Sequence, residues 1–320
     1  MRGTAYVHVG THKTGTTSIQ ALLAMNERAF RDAGVFIPHA GRTAPRFAGH
    51  HNIAWELGGD PQFDAQCGTF ETLLREVAAA NATNVCLSSE EFEFLHLHES
   101  ALRRLRDGLL ATGYEPRIIL YLRPQADYLE SLYAEINRAW NIAFEVFLDT
   151  IVEAGVYGCS RFDYARLTSG FSNVFGPDRL IVRAYRSAAP AEELLREFIG
   201  IVTPQQVELA RLLVPERLNP KAAFPEVIAA RERHISCVAH HAMAVDQQFD
   251  PLSLLDIVRL MARFSRSNEW VRRAYGTRIG CVTAATLARE VITELFRDRG
   301  SRFRKRLIRA LVDYEASIAA

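Results

Sequence analysis

Close to its start the chain carries a short, mostly apolar run, Ala5 to Val9. A polar loop holding Gly10 and Gly15 follows, and then Ser18-Ile-Gln-Ala-Leu-Leu. Such a run reads as a strand buried on both faces. The spacing of Ile19, Leu22, Leu23 and Phe30 predicts a helix from Ser18 to Ala33, which Gly34 ends. Val35 to Pro38 reads as a second strand, and His39 to Pro61 reads as a long polar loop. Phe63 to Ala80 has helical spacing through Phe70, Leu73, Leu74 and Val77. Val85 to Leu87 is a buried parallel strand, with a short helix expected from Phe92 to Leu97 and another from Leu102 to Leu110. Ile118 to Leu122 is again a strand, and Pro124 suits the turn into the next helix. The strand at Arg179 to Tyr185 is flanked by helices starting near Phe162 and at Ala191 to Ile199. Beyond residue 200 the pattern turns helical, over Val227–Ala244, Leu252–Arg266, Ala284–Phe296 and Phe303–Ser317. Alternating strands and helices predict an α/β fold with a central parallel sheet. We divide it into a core at 1–200 and a helical extension at 201–320 packed on the same domain.

The first strand–turn–helix unit carries the sharpest chemistry. Gly15 tolerates a backbone angle closed to other residues. Lys13 offers an ammonium, and Thr16, Thr17 and Ser18 bring hydroxyls to a helix start whose amides have no partner within the helix. An anion there gains those hydrogen bonds and the favourable end of the helix dipole. Gly10 and Gly15 have the first spacing of a phosphate-binding G-x-x-x-x-G-K-[ST] loop, but the lysine lies inside it, at Lys13. A turn and helix start with no ligand is the plain alternative.

Three other strand ends carry candidate groups, and open α/β sheets bind ligands at the carboxyl ends of their strands. Ser88, Ser89, Glu90 and Glu91 follow one strand, so a carboxylate there is placed for chemistry; the competing role is capping of the helix that comes next. Arg123 is the first charge after another strand, and Ser131 lies eight positions on. If the loop folds back over the helix, guanidinium and hydroxyl meet one phosphate. Tyr185 ends the late strand, where its ring either stacks on a base or closes the sheet edge. His50 and His51 suit a polar substrate contact or loop packing better than a metal, because no third ligand stands at a recognisable short spacing. Arg217, Asn219 and Lys221, among four prolines between Thr203 and Pro225, form a second polar lid candidate.

Composition changes this picture little. The 320 residues are 48% hydrophobic and 23% charged, ordinary globular values. A net charge of +1 and a pI near 7.7 give no bulk case for nucleic acid, though a local basic pocket for an anion remains compatible. Five cysteines without a C-x-x-C pair fit reduced, buried residues rather than a disulfide frame or zinc site. With no 18-residue apolar run and a strand almost at the start, we expect neither a transmembrane segment nor a signal peptide, and a cytoplasmic location. The basic amphipathic stretch at 302–312 suits a solvated face packed on the domain, or weak peripheral contact with a membrane.

His12-Lys-Thr-Gly-Thr-Thr-Ser18 together with Arg123-x₇-Ser131, each directly after an apolar strand, resembles the two phosphosulfate-binding motifs of the 3′-phosphoadenylyl sulfate (PAPS) dependent sulfotransferases. The resemblance covers Tyr6 to Tyr185. It implies a three-layer, P-loop-NTPase-like sulfotransferase fold. Lys13, Thr14, Gly15, Thr16, Thr17 and Ser18 would hold the 5′-phosphosulfate, and Arg123 and Ser131 the 3′-phosphate. Tyr185 would approach the adenine. Glu90 matches the family's catalytic base, with His51, His50 and Glu91 as rivals, and Lys13 would assist the leaving group. The family's C-terminal Arg-Lys-Gly and Gly-Asp-Trp loop is absent, which favours the carbohydrate-modifying or bacterial branch over the cytosolic phenol and steroid enzymes.

The resemblance also implies a reaction: transfer of a sulfuryl group from PAPS to a hydroxyl or amine, with 3′-phosphoadenosine 5′-phosphate as product and no metal. A saccharide or glycolipid is the favoured acceptor, given the histidines and arginines between His39 and Trp55. Two other classes compete: a nucleotide-dependent kinase, which needs a magnesium ligand after a buried strand, and a nucleotide-binding protein without catalysis.

Overall fold

The computed structural model describes residues 1–44, 48–136, 142–157, 160–187, 189–203, 212, 214 and 254–279. The lid candidate around Asn219 and the helices expected at 227–244, 284–296 and 303–317 lie outside these residues. The elements in chain order begin with β1 (Gly3–His8), α1 (Thr16–Met25), α2 (Glu27–Asp32), β2 (Val35–Phe36), α3 (His51–Gly58), α4 (Phe70–Ala79) and β3 (Asn84–Ser88). A 3₁₀ segment, Glu90–Leu97, leads to α5 (Glu99–Ala111), β4 (Tyr114–Leu122), α6 (Gln125–Ile136) and α7 (Phe144–Ala154). Then come β5 (Val156–Tyr157), β6 (Ser160–Arg161), α8 (Tyr164–Phe175), β7 (Leu180–Ala184), α9 (Ala191–Val202) and α10 (Leu254–Tyr275).

The chain forms two compact units. The first, residues 1–123, 164–219 and 273–277, is built on a five-stranded sheet in the order β2-β3-β1-β4-β7, with every pair parallel. Alternate side chains of each strand reach opposite faces. Ile119 and Tyr121 of β4 join Cys86 of β3 in one core with Ile19, Leu22 and Leu23 of α1 and Leu195, Phe198 and Ile199 of α9. Ile118, Leu120 and Leu122 point the other way, and α5 and α8 pack against this strand. Burial on both faces explains why these strands read as unbroken apolar runs. Because all strands run the same way, the loops after β1, β3, β4 and β7 leave from one edge. The strand order reverses direction at β1, where ligands bind in folds of this kind.

Two expectations need correction. The single helix expected from Ser18 to Ala33 is broken: α1 stops at Met25, and Asn26 Nδ2 donates to the carbonyl of Leu22 (2.8 Å), so its side chain takes a bond the next turn would use. The supposed loop from His39 to Pro61 contains α3, two turns long, buried through Asn52, Ile53, Ala54 and Leu57 and ended by Gly59 at φ 69°. Its apolar positions are too few to show a helical period.

The second unit comprises residues 124–163, 220–272 and 278–320. Its described part is an aromatic core of Tyr128 and Tyr133 from α6, Phe144 and Phe147 from α7, Phe162, and Phe264 from α10. Gln125 and Asn268 exchange two amide hydrogen bonds, of 2.8 and 3.0 Å, fixing the start of α6 to α10. Among the described residues no helix is long and apolar enough to cross a membrane.

Candidate functional site

The start of the loop after β1 is held by the neighbouring strand β4. Thr11 N–H donates to Tyr121 O (3.0 Å), Tyr121 N–H donates to Gly10 O (2.7 Å), and Thr11 Oγ1 donates to the same Tyr121 carbonyl. Thr14 Oγ1 closes the turn on Thr11 O at 2.5 Å. Two special conformations come next. Lys13 is the sole non-glycine residue with positive φ (64°) among the described residues, and Gly15 caps α1 at φ 78°. No side chain caps α1 and no acidic residue stands in its first turn. The first amides of a ten-residue helix therefore face the loop without a competing carboxylate.

Arg123, the first residue past β4, is 5% exposed. Its Nη1 donates to Lys13 O (2.8 Å), and its guanidinium carbon lies 5.5 Å from the centre of the Tyr185 ring. Its own carbonyl accepts from Tyr164 Oη at 2.5 Å. Arg123 Nε is buried with no hydrogen-bond partner. An orphan donor on a buried cation is costly, and an anion at the loop would satisfy it. Tyr185 and Leu194 roof the same turn: a Cβ built on Gly15 would sit 2.6 Å from Leu194 Cδ2 and 3.6 Å from the Tyr185 ring. Lys13, Gly15, Thr16, Arg123 and Tyr185 thus converge within the first unit. Ser131 lies on α6 in the second unit, 7% exposed.

On the β3 side, Glu90 backs onto the loop. A Cβ on Gly10 would stand 3.3 Å from its Cα and Cβ. Glu90 Oε2 accepts from Gln20 Nε2 (2.8 Å) of α1. His51 borders the same corner. A Cβ on Gly49 would come within 2.6 Å of His51 Nε2 and 3.1 Å of Gln20 Oε1, and His51 Nδ1 shares a 2.8 Å hydrogen bond with Ser89 Oγ.

His50 is committed elsewhere. Ser88 N–H donates to its Nδ1 (3.2 Å) and its Nε2 donates to Pro38 O (3.0 Å). Burial, with the charge of Arg42, holds it down to about 3 against the main-chain bonds. A neutral ring with both nitrogens taken by main chain is a structural group.

Sequence reasoning missed a cluster centred on His12. Glu93, fully buried, accepts at Oε2 from both His12 N–H (3.0 Å) and His12 Nδ1 (2.9 Å). Glu91 Oε1 lies 3.8 Å from Nε2 of the same ring, which stacks on Phe94 at 5.0 Å. Burial alone would depress this imidazole. The hydrogen bonds to Glu91 and Glu93 and the charges of Glu93 and Glu90 override it and raise it to about 10. His12 is therefore an imidazolium at neutral pH. Glu91 in turn is pushed up by burial but drawn further down by its hydrogen bond to His12 and that ring's charge, so it stays ionised. The signal available in the sequence was three glutamates in four positions after a buried strand, interleaved with Phe92 and Phe94.

His8 is the other group not foreseen. It is fully buried at the end of β1, edge-on to Tyr121 and Phe198, and shares a 2.8 Å hydrogen bond with Ser88 Oγ. Burial lowers it to about 3.

No protein-family model and no curated protein matches this chain. Among solved structures it is similar to a sulfotransferase from Alicyclobacillus acidocaldarius, at 15% sequence identity and a TM-score of 0.41, over 76% of this chain and 98% of that one.

Proposed function

We propose that the chain is a sulfotransferase that moves a sulfuryl group from PAPS to a hydroxyl or amine of an acceptor, with a saccharide or glycolipid as the acceptor class and 3′-phosphoadenosine 5′-phosphate as the second product. The observation that carries this reading is Arg123. It is a buried guanidinium with an orphan Nε, hydrogen-bonded to the main chain of Lys13 and stacked on Tyr185. Those are the residues that a nucleotide bearing phosphates at both ends of its ribose would engage together.

In this reading the amides at the start of α1 and the hydroxyls of Thr16, Thr17 and Ser18 bind the sulfuryl and 5′-phosphate oxygens. Lys13 neutralises charge growing on the oxygen that leaves sulfur. Glu90 Oε1 accepts the acceptor's proton as the new oxygen–sulfur or nitrogen–sulfur bond forms, while Gln20 holds its other oxygen. Fixed donors aimed at developing charge commonly contribute more to such transfers than any other single effect.

Glu90→Gln tests the assignment of the base. With PAPS and an acceptor library, we expect turnover to fall by about 10²–10⁴-fold, the usual share of a general base, while affinity for 3′-phosphoadenosine 5′-phosphate stays within about twofold. Turnover undiminished in the variant would remove Glu90 and turn attention to His51. A kinase reading has no comparable support at these strand ends, where β3 runs into Ser88-Ser89-Glu90 and β4 into Arg123-Pro124.

A further inference from the structure

Lys13 stands in the left-handed region at φ 64°, a conformation unfavourable for a residue with a side chain. Such a conformation lasts only where the surroundings over-determine it, and it collects at functional sites. Two clamps hold it here. After it, Arg123 Nη1 takes the Lys13 carbonyl. Before it, both the amide and the ring of His12 are fastened to one oxygen of Glu93.

That second clamp is specific in its chemistry. Glu93 is fully buried, and Oε2 receives both of its donors from His12, the residue next to Lys13. Its other oxygen, Oε1, is buried without a partner. A buried carboxylate is tolerated only when paired and hydrogen-bonded. Here both bonds are directed to one loop residue. The 3₁₀ geometry of 90–97 lines up every third side chain, so Glu90 and Glu93 project from one face of that segment, Glu90 against Gly10 and Glu93 against His12. Stacking on Phe94, from the same segment, fixes the plane of the His12 ring.

We infer that Glu93 is a positioning residue: through His12 it holds Lys13 in its left-handed conformation, so that the ammonium, the Lys13 carbonyl and the first amides of α1 are set for an anionic ligand before that ligand arrives. The inference rests on the proposed nucleotide site and adds to it a group that does not touch the nucleotide. The same 3₁₀ segment then carries the proposed base and the brace of the phosphate loop.

Calorimetric titration with 3′-phosphoadenosine 5′-phosphate tests it, because a clamp and a purely structural residue differ in what they change. In Glu93→Gln the dissociation constant should rise by about tenfold or more, as misplaced binding groups do, with the stoichiometry unchanged. A merely structural role would lower the stoichiometry, through loss of folded protein, and leave the dissociation constant alone. His12→Asn carries the same expectation if Glu93→Gln does not fold. The double variant should bind no more weakly than the weaker single one, since both act along one path. Wild-type affinity in a folded Glu93→Gln or His12→Asn variant overturns the clamp. Failure of the unaltered protein to bind at all overturns the site beneath it.

Discussion

Under the proposed function, Lys13→Met is expected to lower sulfuryl transfer by about 10²–10³-fold, the usual cost of removing one preorganised charge from a transition state, and to leave the protein folded. Methionine keeps the length and bulk of the side chain and has the same difficulty with φ 64° as lysine, so the backbone penalty is common to both proteins and the charge is what differs. The loss should fall more heavily on turnover than on binding of 3′-phosphoadenosine 5′-phosphate. In the proposed site Arg123 and the α1 amides would still grip the product nucleotide, whereas Lys13 would supply its charge to the departing oxygen in the transition state. Steady-state rates with PAPS, compared with calorimetric affinity for the product, separate the two. An equal loss in both would make Lys13 a binding group only, and no loss in either would remove it from the site.

Acid is expected to weaken this fold from about pH 6.5 downward. His8 and His50 are buried and neutral, each lowered from 6.5 to about 3. A histidine whose folded value is depressed stabilises the fold above its unfolded value and loses that contribution as pH falls, because the unfolded chain takes up the proton first. The window opens at 6.5 and extends down towards 3. Between about pH 6.5 and 5 each imidazole should remove on the order of 1–2 kcal/mol, or about 3 kcal/mol together. That is a large part of an ordinary folding stability of about 5–15 kcal/mol.

His12 works in the opposite direction. Raised to about 10, it contributes fully below 6.5 and is lost as pH climbs towards 10, so it offsets little in the acid window. Urea denaturation from about pH 7 to 5 measures the loss, and His8→Leu should reduce it to about half. Stability that is flat over that range would contradict the buried neutral state of both rings.

Much of this architecture was legible in the chain because its central strands are buried on both faces. Val85 to Leu87 and Ile118 to Leu122 have no polar position to confuse the reading, and the first polar residues beyond them, Ser88 to Glu90 and Arg123, are therefore the ones at the sheet edge. The turn chemistry was equally local: Gly15 takes the positive φ its position requires. Legibility failed where a partner is far away in sequence. Glu93 looks like one of several solvated glutamates until the strand pairing of Val7 with Leu87 carries it to His12, 81 positions earlier. His50 and His51 look alike as a pair, yet the start of α3 turns one to main-chain partners and the other to Ser89. Ser131 shows a third case, since its spacing from Arg123 expresses a helix that belongs to the second unit.

The proposed function depends on a single adenosine bisphosphate being held by Lys13, the start of α1 and Arg123. Calorimetric titration of the unaltered protein with 3′-phosphoadenosine 5′-phosphate, run beside ATP with magnesium, tests it most directly. We expect one site per chain with a clear preference for the bisphosphate, whose affinity falls by at least about tenfold in Arg123→Ala, where the buried guanidinium is gone. Tighter binding of ATP with magnesium, or an Arg123→Ala variant that binds the bisphosphate as the parent does, would contradict it.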